Sequence, residues 1–161
     1  MRRREFIAGL GSAAAWPVMA RAQQSGPMRR IGVFSTRLAP DDPDWQARDA
    51  AFLQGLQQSG WIVARNIRID YRFALGDADR LRKFAAELVA LAPEVVLAGG
   101  TTAAQALQQA SRTLPVVFAN ATDPVGNGLV ASLEHPGGNA TGFMLAEFGV
   151  SRCRRRQRSR P

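Results

Sequence analysis

The sequence holds a single cysteine, Cys153, and a single histidine, His135. One cysteine excludes an intramolecular disulfide, and one histidine leaves no Cys/His set that could close around a metal ion. No serine stands in a nucleophile elbow, and no histidine lies near a candidate nucleophile. The clustered acids Asp41, Asp42 and Asp44 read as a solvated surface group rather than an acid–base pair. Long apolar runs are also missing. The longest, between Phe6 and Ala20, is about 15 residues, short of the roughly 18–20 that span a bilayer. The glycine-bearing stretch GGTTAA, residues 99–104, is neither a Walker loop nor a G-x-G-x-x-G fingerprint. These absences argue against an enzyme and leave no requirement for a cofactor or metal.

Basic charge is plentiful, but it sits at the ends. The chain is formally +8. Residues 1–22 carry four arginines against Glu5, and residues 152–161 carry six arginines and no acid, leaving 11 basic and 12 acidic residues in 23–151. The body is therefore close to neutral, with a net charge of −1. Sequence-independent binding to nucleic acid needs many phosphate-neutralising side chains on the folded surface, and a neutral body does not supply them. The start, MRRREFIAGLGSAAAWPVMARAQQ, has a positive n-region, an apolar stretch and small residues at Ala20 and Ala22. That is the layout of a secretory signal cleaved after Ala22, and Arg3 to Ile7 (RREFI) resembles a twin-arginine export signal.

Between the ends, strand and helix patterns alternate. Residues 29–35 form a short apolar strand, followed by a helix over about 45–59 with Trp45, Phe52 and Leu56 on one face and Gly60 at its close. Residues 66–73 alternate strictly, with Ile67, Ile69, Tyr71 and Phe73 on one side and Arg68, Asp70 and Arg72 on the other. This reads as a strand with one wet face near a sheet edge. Asp77 caps the next helix, whose apolar residues Leu81, Phe84, Ala85, Leu88 and Leu91 run to Pro93. An apolar strand at 94–100, a helix at 101–111 and a buried strand at 115–120 come next. A short helix at 123–133 and a strand around 141–145 complete the body. Apolar strands separated by helices predict a doubly wound, flavodoxin-like α/β layer whose parallel sheet is covered on both faces.

In such sheets ligands bind beyond the carboxyl ends of the strands, where strand order reverses. That rule selects Ser35 and Thr36 with Arg37, then Gly99 to Thr102, then Asn120, Thr122 and Asp123. The hydroxyls of Thr101 and Thr102 open a helix whose free N–H groups favour an anion such as a carboxylate, or else cap that helix. Asp123 before Pro124 is equally a favoured helix start. Arg37 is placed either to meet a carboxylate or to lie in solvent, and His135 in HPGG reads as a turn residue. The NAT sequence at Asn139 matches a glycosylation sequon by chance, since the leader is of bacterial type.

The text from GLQQSGWIVARNIRIDYRFALGDADRLRKFAAELVALAPEVVLAGG to PVVFANATDPVGNGLVASLEHPGGNATGF resembles ABC-transporter substrate-binding proteins of the tryptophan/tyrosine-receptor type. Its most specific parts are Gly60-Trp61 with Arg65-Asn66 (Ala64 stands where the family usually has glycine), Asp123 to Val125, and PGGNATG at 136–142. The resemblance runs from the leader to about Phe148. It implies one lobe, residues 28–148, of a type I periplasmic binding fold. The implied protein is a monomeric, non-catalytic receptor that binds a small-molecule solute, such as an amino acid or related carboxylate, and delivers it to an inner-membrane permease. By the same resemblance Ser35, Thr36, Thr101, Thr102, Asn120, Thr122 and Asp123 form this lobe's half of an interlobe cleft. After LAEFGV the family pattern gives way to SRCRRRQRSRP, residues 151–161, which reads as the product of a shifted frame and implies a weakly functional or non-functional chain. Two other readings are weighed against it. One is a nucleic-acid-binding fragment acting through the basic tail, and the other is a small flavodoxin-like enzyme.

Overall fold

The computed structural model describes residues 28–145. The leader at 1–22 and the arginine-rich tail at 149–161 lie outside the described residues. The elements run β1 (Arg29–Ser35), α1 (Pro43–Gln58), β2 (Ile67–Phe73), α2 (Ala78–Ala90), β3 (Val95–Gly99), α3 (Thr101–Ala110), β4 (Val116–Ala121) and β5 (Ala140–Met144). All strand pairs are parallel, in the order β2-β1-β3-β4-β5. The chain moves outward from β1 to β2, then crosses back to β3 on the other side of β1. Strand order therefore reverses between β1 and β3, as a doubly wound sheet requires. The strictly alternating strand, β2, is indeed an edge.

Local chemistry explains where the helices begin. Asp42 accepts from the backbone N–H groups of Asp44 and Trp45 at the start of α1, with Pro43 at the first helical position. Asp77 does the same for Asp79 and Arg80 at the start of α2. Those donors, chiefly the Arg80 N–H, hold the Asp77 carboxyl below its ordinary range.

The main core lies on one side of the sheet. Phe34, Val96, Ala98, Val116, Phe118 and Ala140 pack against Ala85 and Leu88 of α2 and Ala103, Ala104 and Leu107 of α3. On the other face, where α1 packs, a smaller set is buried, Val33 of β1 and Ile67 of β2. Trp45 meets Phe73 edge-on at 5.0 Å and Tyr71 at 6.2 Å, and α1 buries none of its residues fully. Val95, Leu97, Val117 and Ala119 stay half-exposed on that face, and Phe143 is 76% exposed. The expectation of helices on both faces holds, but among the described residues the cover on the second face is only partial. Apolar strand sequence reports what a face can bury and not which segment covers it.

Two expectations are corrected. The polar side of β2 is not simply wet, because α2 lies over it. Asp70 is only 13% exposed and pairs with Arg30 at 3.2 Å, while Arg72 pairs with Glu87 of α2 at 2.8 Å. Alternation marks polarity, and here ion pairs meet part of it, although the buried Asp70 Oδ2 accepts no hydrogen bond among the described residues. Residues 123–133 form turns instead of a helix. One helical turn starts, with the Asn127 N–H donating to the Asp123 carbonyl at 3.0 Å, and then Gly126, Asn127 and Gly128 (φ 71°) end it. Glycine costs about 1 kcal/mol in a helix interior, and this segment has two within three residues.

Candidate functional site

At the carboxyl edge of β1, Ser35 and Thr36 are both buried. The Ser35 hydroxyl is used within its own loop, donating to the Leu38 carbonyl at 3.1 Å. The Thr36 carbonyl accepts from the Gly76 N–H at 2.7 Å, which ties this loop to the end of β2. No described residue hydrogen-bonds the Thr36 hydroxyl, and its oxygen is not sealed from solvent. Arg37 is exposed.

Ser35 pairs in register with Gly99, and Gly99 with Ala119, so the ends of β1, β3 and β4 lie side by side. Gly100 is the N-cap of α3, with φ 104° and no side-chain cap hydrogen bond. Neither Thr101 nor Thr102 is therefore the N-cap of the helix. The first-turn N–H groups of α3 have no capping side chain, and a helix start of this kind favours an anion. Thr102 is exposed, whereas Thr101 turns across to the next loop. Its hydroxyl donates to the Thr122 carbonyl at 3.2 Å and accepts from the Thr122 N–H at 2.9 Å.

The end of β4 is bent by an extra residue. Phe118 pairs with Gly142 but Ala121 pairs with Met144, so β4 carries one residue more than β5 across this step. Asn120 takes up the irregularity at φ 58°, a left-handed conformation that asparagine tolerates better than most residues. Asp123 is also left-handed at φ 43°. One of its oxygens, Oδ1, accepts from the Gly126 N–H at 2.9 Å, and a Cβ at position 126 would collide with the Asp123 carboxylate. The Asn127 side chain donates to the carbonyls of both Thr122 and Asp123 at 2.9 Å. The Asp123-Pro124 pair was read as a helix start. Here the aspartate instead caps a turn.

The structure brings the three selected loops to one edge and adds a fourth. Leu75, just after β2, is 45% exposed at φ 54°, and the following Gly76 N–H bonds to Thr36. A large apolar residue held left-handed and open to water is doubly unfavourable, a combination found at sites where strain serves a purpose. Only the adjoining Gly76-Asp77 turn signal hinted at it in sequence. Val125, beside Asp123, is 43% exposed at the same edge. His135 lies elsewhere, in an exposed turn closed by Ser132.

Comparison with known proteins fits this geometry. The family model described as ABC transporter substrate binding protein matches residues 41–147. The chain belongs to this family. A tyrosine-binding protein of Clostridioides difficile is 33% identical over 102 residues, covering 63% of this chain and 30% of the relative. Among solved structures, a conserved domain protein from Vibrio cholerae superposes with a TM-score of 0.69 at 31% identity, over 81% of this chain and 43% of that one. An ABC domain from Streptococcus pneumonia, in complex with L-Trp, gives 0.65 at 32% identity, over 73% and 38%. The ligand-free, open structure of a Clostridium difficile substrate binding protein with adhesive properties gives 0.67 at 28% identity, over 73% and 39%. The chain thus spans well under half the length of these relatives. Family members are binders rather than enzymes, and among the described residues no helix is long and apolar enough to cross a membrane.

Proposed function

We propose that residues 28–148 form one lobe of a periplasmic solute receptor for an ABC importer. In this reading the carboxyl edge of β1, β3 and β4 is one wall of a cleft that takes an amino acid or related carboxylate. The carrying observation is that loops from three adjacent strands meet beside the β1/β3 reversal, with a helix start free of a side-chain cap among them. Thr36, Thr102, Asn120, Thr122 and Asp123 are the polar contacts in this reading, with Ser35 shaping the loop beneath them. The uncapped start of α3 receives the carboxylate. Exposed Leu75 and Val125 offer apolar surface to a side chain, which suits an aromatic or branched solute. The relatives described as tyrosine-binding and as a complex with L-Trp support this solute class. The receptor works as a monomer without a cofactor, and its partner is the inner-membrane permease.

Titration calorimetry of the 161-residue chain with L-tryptophan and L-tyrosine tests the reading. A wall that meets the solute from one side makes about half the contacts of an enclosed site. Halving the ~8 kcal/mol of a micromolar complex leaves about 4 kcal/mol, a dissociation constant near ~1 mM. Saturable heat in that range supports the reading. No heat up to roughly tenfold higher concentration contradicts it.

A further inference from the structure

Thr101 was selected by sequence as a solute contact, yet its hydroxyl is already engaged on both sides. One oxygen atom donates to the carbonyl and accepts from the N–H of the same residue, Thr122. A pairing of this kind fixes both distance and orientation, because the two bonds restrain the Thr122 peptide units from opposite directions. The Thr122 carbonyl receives a second donor from Asn127, whose side chain also holds the Asp123 carbonyl. The segment so restrained is the irregular one, running from left-handed Asn120 to left-handed Asp123. The backbone itself holds this loop through the Ala121 carbonyl, which accepts from the Leu145 N–H at 3.0 Å, and the Asp123 carbonyl, which accepts from the Asn127 N–H at 3.0 Å. Thr101 is the first residue of α3, so the same contact also sets the loop against the helix start.

We propose that Thr101 is a positioning residue: its hydroxyl clamps the 120–123 loop to the N-terminus of α3 and so sets the spacing of the polar groups around it. The contact with solute then falls to Thr36, Thr102 and the 120–123 loop itself, an assignment that rests on the solute reading above. The clamp itself does not depend on that reading.

Amide hydrogen exchange on the full chain, without solute, decides the matter. The readout is the exchange rate of the Thr122 amide divided by that of Phe118 in β4, so that a rise shared by both amides does not count. In Thr101→Val, which removes both bonds to Thr122, the ratio should rise about tenfold or more. In Thr101→Ser, which keeps the hydroxyl, it should stay within about twofold of the unsubstituted chain. A ratio unchanged in the valine variant overturns the proposal, as does a serine variant that behaves like valine. The same three proteins are titrated with L-tryptophan. No heat from any of them, with exchange behaving as stated, defeats the solute reading and leaves the clamp standing.

Discussion

Ala64 sits at φ 64°, where a side chain meets its own backbone. Left-handed backbone costs a non-glycine residue roughly 1–2 kcal/mol, part of which glycine gives back as unfolded-chain entropy. Ala64→Gly is therefore expected to stabilise the lobe by about 1 kcal/mol, read as a higher midpoint in urea at unchanged slope. A lower midpoint would show that the strain is absorbed elsewhere. The turn around Ala64 is otherwise well held, with Asn66 accepting from the Ile62 N–H at 2.6 Å and donating to the Gly60 carbonyl at 2.9 Å. At this scale the sequence is informative about residue type and silent about partners. Ser35, Thr36, Thr101 and Thr102 all read as hydroxyls at a strand or helix end. Only the geometry separates a hydroxyl spent on Leu38 or Thr122 from one left open to solvent. Asn139 makes the same point, since its side chain donates to the carbonyls of Ser111 and Leu114 and the sequon around it is structural text.

Among the elements, α1 and α2 differ in how they are anchored. Helix α2 presents a periodic apolar stripe that the sequence displays plainly, and it buries Ala85 and Leu88 in the core. Helix α1 has a sparser apolar face, Trp45, Phe52 and Leu56, and buries none of its residues fully. It is held by its Asp42 cap, by the edge-on contacts of Trp45, and by the Tyr71 hydroxyl donating to Asp49 at 2.9 Å. Asp42→Ala should cost about 1 kcal/mol, the usual loss for an N-cap, and should raise amide exchange in α1 more than in α2. Equal effects on both helices would contradict the separate anchoring. Burial first, then the hydrogen bond to Asp49 and its charge, push the Tyr71 phenol well above its ordinary range. Because the folded value is raised, the stabilisation from neutral Tyr71 is fully present below the unfolded value of about 10. It is lost as pH climbs past that value toward the folded one. Stability should accordingly fall above pH ~10, and Tyr71→Phe should flatten that part of the profile. An identical alkaline slope in the variant would refute the assignment. Residues 123–133 were misread because Asp before Pro signals both a helix start and a turn. The decision came from Gly126, Asn127 and Gly128, which cannot sustain the helix.

For the whole molecule, strand count and parallel pairing follow from alternating apolar strands and helices, and the sheet order bears them out. Which face each helix covers does not follow, because that depends on crossovers between elements distant in sequence. The result is a main core on the α2/α3 side and a second, less covered face on the α1 side, where Val33 and Ile67 are buried. The central claim is that solute sits at the carboxyl edge of β1, β3 and β4. The most direct test is amide chemical-shift mapping of the 161-residue chain during titration with L-tryptophan. The account predicts saturable shifts at Thr36, Gly100, Thr102, Asn120 and Thr122, with Ala64 and Asn66 at the opposite end of the strands unmoved. Shifts centred on Ala64 and Asn66, or none at any residue of the carboxyl edge, would contradict it.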